Sequence, residues 1–161
     1  MPPIVIWITD RYRIHAPCGI ITLIVKGALV MKKTGLLNQP LSAVIAGLGH
    51  LDTLVIGDAG LPIPPATPRI DLAVSAGIPA FLDVVSAALG EMQVQEAIIA
   101  AEMAARSPEM RSRLLALLGD IPVREVSHEQ FKAQSASAHA IVRTGEFTPY
   151  ANVILVAGVV F

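Results

Sequence analysis

At 161 residues the chain has enough sequence for one sizeable core and too little for two ordinary domains. Hydrophobic residues make up 53% and charged residues 16%, rich for a soluble monomer, yet no apolar run reaches the roughly 18 residues of a membrane-spanning helix. A net charge of −1 with mixed signs suggests neither nucleic acid nor an anionic membrane as an electrostatic partner, and the single cysteine, Cys18, excludes an internal disulfide and a cysteine-rich metal site.

The surplus apolar surface points to other protein chains as neighbours, and the lone cysteine fits a reducing cytoplasm. Residues 1–30 alternate short apolar runs with isolated charges and keep no helical or strand period. As a signal peptide they would offer Arg11 and Arg13 as a basic region and "GIITLIV" as an apolar one. Asp10 beside the arginines, Lys26 closing the run and the lack of an A-x-A pattern speak against that reading. The expectation is a non-native or disordered extension over 1–30, with Met31 as the true start and one domain over 31–161. "KGA" just before Met31 can be encoded so as to contain a purine-rich ribosome-binding site. Without Asp10, Arg11, Arg13 and Lys26 the remainder is mildly acidic.

From Met31 onward helical and strand signals alternate. Asn38 is a good N-cap and Pro40 suits a first turn, so "LSAVIAGLG" predicts a helix ended by Gly47 and Gly49. "DTLVIG" reads as a buried strand, and the prolines of "DAGLPIPPATP" make the next segment a loop. "RIDLAVS" predicts a strand and "IPAFLDVVSAALGEM" an amphipathic helix entered through Pro79. "EAIIAA" is a further strand, and "EMAARSPEMRSRLLALLGD" a helical stretch broken or kinked near Pro108. "VREV" is a short strand, and Ser127 with Gln130 forms a capping box at the head of "SHEQFKAQ". "HAIVRTG" and "NVILVAGVVF" close the chain as strands joined by "EFTPYA". The fold class is α/β, a single compact domain with a central mixed or mainly parallel sheet flanked by helices.

Apart from His15 in the extension, the histidines are His50, His128 and His139. No paired-histidine spacing or carboxylate cluster points to a metal, and no G-x-G-x-x-G, Walker A or G-x-S-x-G setting is present. What remains is acid/base chemistry by histidine on a small uncharged substrate, without a cofactor.

"MKKTGLLNQPLSAVIAGLGHLDTLVIGDAGLPIP", "IDLAVSAGIPAFLDVV", "VSHEQFK" and "AIVRTGEFTPYANVILVAGVVF" together resemble the D-ribose pyranase family, from Met31 to Phe161 and in the same order. The resemblance implies interconversion of pyranose and furanose forms of D-ribose in the cytoplasm by a homo-oligomeric ring, with a decamer as the size it suggests. It puts the catalytic histidine on His50 and the sugar-binding positions on Asp58, His128 and the triplet Tyr150, Ala151 and Asn152. It implies neither metal nor cofactor.

Those residues suit that chemistry. Opening a hemiacetal requires protonating the ring oxygen while the anomeric hydroxyl loses its proton, and a histidine with an ordinary pKa of about 6.5 works in both directions. An ionised Asp58 only accepts, and so grips a hydroxyl or fixes a histidine tautomer. Tyr150 offers a ring to a sugar face, while its hydroxyl or the Asn152 amide reaches the rim. Each also has a structural reading. His50 can cap a helix end, Asp58 can make a turn, His128 can be a solvated first-turn residue, and Tyr150 and Asn152 can be turn residues around Pro149. His139 reads as packing or surface, and Arg143 and Glu146 as a pair or as partners of the turn backbone.

Along an extended "LDTLVIG", His50 and Asp58 lie on the order of 20 Å apart. Either a bend brings His50 back or a neighbouring subunit completes the site; the low charge content and the implied ring favour the neighbour. Two further readings stand beside the pyranase: a fucose mutarotase-like enzyme acting on anomers of another sugar, and a non-catalytic sugar-binding module.

Overall fold

The structure, a computed structural model, describes residues 35–161 in full and, before them, the backbone of three short strands. These are β1 (Val5–Trp7), β2 (Tyr12–His15) and β3 (Thr22–Val25), an antiparallel meander with Ile6 opposite Ile14 and Tyr12 opposite Val25. They form where the sequence shows no sustained strand period. Asp10, Arg11, Cys18, Lys26 and the expected start at Met31 lie outside the described residues.

Residues 35–161 form an α/β unit. In chain order it runs α1 (Gln39–Gly47), β4 (Thr53–Gly57), β5 (Arg69–Asp71), α2 (Phe81–Leu89), β6 (Val94–Ala100), α3 (Met103–Arg106), α4 (Pro108–Leu118), β7 (Val123–Val126), α5 (His128–Ser135), β8 (Ala140–Arg143) and β9 (Val153–Ala157). The six strands lie in the order β5-β8-β4-β9-β6-β7. β5, β8, β4, β6 and β7 run in one direction and β9 is inserted antiparallel between β4 and β6, so the sheet is mixed.

Local chemistry accounts for the element ends. The Asn38 side chain accepts from the Leu41 N–H at 2.9 Å, and Pro40 occupies the first turn, where its missing N–H costs nothing. At α5 both bonds of the capping box form, Gln130 N–H to Ser127 Oγ and Ser127 N–H to Gln130 Oε1. The stretch around Pro108 is two helices, with the break at Ser107, whose backbone leaves the helical region at φ −146°, ψ 59°. The residue before a proline is driven out of the α region, so the second helix restarts with Pro108 at its head.

Alternation along the buried strands divides the core in two. Leu54 and Ile56 of β4 and Val153 and Leu155 of β9 face one side, where Leu41 of α1, Phe81, Val84 and Val85 of α2 and Leu114 of α4 cover them. Val55 and Ile154 face the other side and meet Phe131 of α5 and Leu61 of the proline-rich loop. Phe81 and Phe131 are completely buried, and each such ring contributes about 2 kcal/mol by leaving water. With helices on both faces, the free ends of the parallel strands are where functional loops gather.

Candidate active site

A cleft of about 500 Å³ opens at the carboxyl ends of the parallel strands, lined by Asp58, Gly60, Arg106, His128, Pro149 and Tyr150. Asp58 follows β4 directly, His128 opens α5 straight after β7, and Tyr150 ends the loop that leads into β9. The sheet thus gathers residues nearly a hundred positions apart at one end of its strands.

Asp58 is held by a closed pair of bonds. Its N–H donates to Asn152 Oδ1 at 2.9 Å, and Asn152 Nδ2 donates to Asp58 Oδ2 at 3.0 Å. Asp58 Oδ1 accepts from the Gly60 N–H at 2.9 Å. Burial pushes the Asp58 carboxyl above its ordinary value; the bonds from Gly60 and Asn152 pull the other way without overcoming it. Gly57 makes the arrangement sterically possible. A Cβ there would stand 2.6 Å from Leu61 Cδ2 and 2.8 Å from Asn152 Oδ1, so only glycine fits.

Tyr150 adopts φ 62°, in the left-handed region that costs a bulky residue about 1 kcal/mol or more. Its neighbours pin it there. The Asn152 N–H reaches back to the Tyr150 carbonyl at 2.7 Å, and Ser107 Oγ donates to the Pro149 carbonyl at 2.8 Å. The His128 ring stands edge-on to the Tyr150 ring, centroids 4.9 Å apart. Ala151 is fully buried, so this residue of the "YAN" triplet offers the cleft no side chain. Asn152 is fully buried too and serves the cleft through Asp58.

The backbone N–H of His128 donates to both carboxylate oxygens of Glu102, each at 3.0 Å, and this bond holds the Glu102 carboxyl below its ordinary value. The Nδ1 atom of His128 is buried with no hydrogen-bond partner among the described residues. A lone pair there is less costly than an N–H with no acceptor, so the neutral ring keeps its proton on Nε2 and serves as a donor.

His50 is elsewhere. It lies in the turn between α1 and β4, at the amino ends of the parallel strands, opposite the cleft, exposed, with its Nε2 2.9 Å from Gln95 Oε1 at the start of β6. The Leu51 N–H bonds the Ala157 carbonyl at the end of β9, which ties this turn to that end of the sheet. β4 runs without a bend from Thr53 to Gly57, so within one chain His50 does not approach Asp58. His139 is exposed, 3.8 Å from Asp52. Arg143 pairs with Asp71 rather than Glu146, and Glu146 instead accepts from the turn, from Thr148 and from the Phe81 N–H.

Sequence reading passed over Arg106, Gln95 and Glu102. Arg106 sits in "EMAARSPEM" like any solvated helix residue, and only the break at Ser107 hints that it ends a short helix at the strand end. Gln95 and Glu102 act on His50 and on the His128 backbone from 45 and 26 residues away, beyond any local pattern.

Comparison with known proteins matches residues 31–160 to the model of the RbsD / FucU transport protein family. A D-ribose pyranase of Chloroflexus aggregans is 63% identical over 131 residues, covering 81% of this chain and 100% of that protein. A D-ribose pyranase of Symbiobacterium thermophilum is 62% identical with the same coverage. Among solved structures, Bacillus subtilis RbsD complexed with D-ribose superposes with a TM-score of 0.79 at 47% identity, over 81% of this chain and 100% of that one. The fucose mutarotase of Streptococcus pneumoniae in complex with L-fucose gives 0.62 at 23% identity over 77% of this chain and 94% of its own, a likeness of fold alone.

Proposed function

The chain belongs to the RbsD / FucU transport protein family, and from that premise we propose that it is an isomerase, a D-ribose pyranase interconverting the pyranose and furanose forms of the sugar. The single observation that carries the reading is the 63% identity to a D-ribose pyranase along that relative's whole length. The likeness to a fucose mutarotase stops at the fold, so ribose is the better substrate.

In this reading the cleft holds the sugar. Asp58 accepts from a hydroxyl, His128 donates from Nε2, and the Tyr150 ring covers one face of the sugar. Ring opening moves a proton from the anomeric hydroxyl and delivers one to the ring oxygen; closure by another hydroxyl reverses both transfers. His50 is the proton carrier. With Gln95 Oε1 facing its Nε2, that nitrogen is the donor and Nδ1 carries the free lone pair, the state of a general base.

Since His50 and Asp58 lie beyond opposite ends of β4, the complete site needs two chains in a homo-oligomer. Exposed apolar residues lie at both ends. Leu51, Val160 and Phe161 are 60%, 85% and 102% exposed at the His50 end, and Phe147 is 70% exposed beside Asp58, where the Ala59 N–H bonds the Glu146 carbonyl. Two different apolar ends suit head-to-tail contacts, which close into rings. No helix among the described residues is long and apolar enough to cross a membrane, and a cytoplasmic ring acting on free ribose is the assembly proposed.

Saturation-transfer NMR on D-ribose with the purified protein tests the function. The expected result is faster exchange between pyranose and furanose signals. Sugar binding without acceleration would make the protein a binding module, and acceleration confined to L-fucose anomers would move it to the mutarotase branch.

A further inference from the structure

We propose that Arg106 is a further substrate-binding residue, which holds the 2- and 3-hydroxyls of the pentose while the ring opens and closes; this rests on the ribose pyranase reading. Of the six arginines in residues 35–161, Arg111, Arg124 and Arg143 are each engaged with a carboxylate, by Glu125, Glu96 and Asp71, and of the other three, Arg69, Arg106 and Arg113, Arg106 is the one that lines the cleft. The Arg106 side chain has no hydrogen-bond or ion-pair partner among the described residues, while its backbone N–H donates to the Glu102 carbonyl within the helix. The nearby acid, Glu102, already accepts the His128 N–H with both its oxygens.

The backbone that carries Arg106 is fixed. α3 is anchored by Met103, completely buried in the core. At its start Glu102 ties it to α5, and at its end Ser107 Oγ ties it to Pro149, so the four-residue helix is bracketed between both walls of the cleft. Arg106 stands in its last turn, between the His128 wall and the Tyr150 wall.

Chemistry selects what Arg106 would hold. Ring interconversion changes the bonding of the anomeric oxygen and of the two oxygens that close the alternative rings, and those positions need groups that exchange protons. A guanidinium cannot give up its proton at working pH, so it has no use there. The 2- and 3-hydroxyls keep their bonding in the pyranose, the open chain and the furanose. They lie cis on ribose, two adjacent acceptors that a planar fork of N–H donors can span. Asp58 supplies the opposite character, acceptor only, so the cleft offers both halves of the recognition a sugar hydroxyl needs.

The test measures exchange rates by NMR over a range of ribose concentrations for the full chain, for Arg106→Ala and for Arg106→Lys, with 2-deoxy-D-ribose and 3-deoxy-D-ribose as competitive inhibitors. Arg106→Ala is expected to raise KM for ribose about tenfold with kcat within about twofold, and Arg106→Lys to lie between, since a point charge spans two hydroxyls poorly. The unaltered protein should bind each deoxy sugar about tenfold more weakly than ribose, and Arg106→Ala should bind all three alike. An unchanged KM, or equal weakening of all three sugars, overturns the role of Arg106 and leaves the pyranase reading standing. An unaltered protein that does not accelerate ribose exchange overturns that reading, and the role of Arg106 falls with it.

Discussion

Asp58 and Asn152, 94 positions apart, close a two-bond ring in which the backbone N–H of one and the side-chain amide of the other each donate to the partner. The pair joins the end of β4 to the start of β9, and it aims the Asp58 carboxylate at the cleft from a completely buried base. Asn152→Ala removes one donor and one acceptor from groups that burial keeps from water, at a cost of about 2 kcal/mol. Chemical denaturation should show that loss. Ribose exchange should slow as well, because Asp58 is then free to turn. A variant with normal stability and normal exchange would reduce the pair to a surface turn.

Asp58 also makes a prediction in pH. Its carboxyl is raised by burial, so the folded protein binds that proton more tightly than the unfolded chain does. Its contribution to stability is therefore least favourable at neutral pH and improves as pH falls through its folded value. Asp58→Asn keeps an acceptor for the Gly60 N–H but turns an NH2 group toward the Asn152 amide where Oδ2 had accepted, so it loses that bond at every pH; against this constant loss the variant should gain on the parent as pH rises through the raised Asp58 value. Asp71, Glu102 and Glu146 have the opposite sign. Arg143 holds Asp71 low and the His128 N–H holds Glu102 low, while bonds from Thr148, Phe81 and Phe147 outweigh burial at Glu146. Their contributions are lost as pH falls through those lowered values, so the parent as a whole weakens in acid. Melting curves of parent and variant between pH 3 and pH 8 separate the two trends.

His50→Ala should slow ring exchange by about 100-fold or more with the fold retained, the scale of losing a general acid/base. Gln95→Leu should slow it less, roughly tenfold, about the worth of one hydrogen bond that sets the tautomer. Circular dichroism would show both variants folded. If Gln95→Leu matches the parent, the 2.9 Å contact does not prepare His50 for proton transfer.

Removal of residues 1–30 should leave folding, assembly and exchange unchanged. The family match covers 31–160, and residues 35–161 contain every cleft residue and both halves of the core. Gel filtration and the NMR assay on a chain beginning at Met31 check this. Loss of assembly would make the β1–β3 meander a working part of the protein.

Much of this was legible locally. Asn38, Ser127 and Gln130 act through neighbours three residues away, Pro40 through its own missing N–H, and all are found where the pattern puts them. The apolar runs of β4, β6, β8 and β9 read as strands because both faces of the sheet are covered. Strand order was not legible, since nothing in "NVILVAG" says that β9 enters antiparallel between β4 and β6. The same limit applies at the site. Asp58, His128 and Tyr150 could be singled out by type and resemblance, whereas Arg106 becomes notable only once β6 and the Pro149 loop bring it to the same cleft. Within "GHLDTLVIGD" the distance from His50 to Asp58 was readable, because a five-residue strand has little freedom of length.

That distance supports the last prediction, an active site shared between subunits, with His50 from one chain and Asp58, His128 and Tyr150 from the next. In such an assembly two individually inactive variants can restore each other. His50→Ala chains still bring an intact Tyr150, and Tyr150→Ala chains still bring an intact His50. When the two are co-expressed and mix at random, about one interface in four unites the intact residues, so roughly a quarter of parental exchange activity should return. Variants purified separately and mixed without subunit exchange should remain inactive, which controls for contamination. If native mass spectrometry finds mixed oligomers and activity stays absent, the pairing is wrong. His50 would then have to reach Asp58 within its own chain, across the full length of β4.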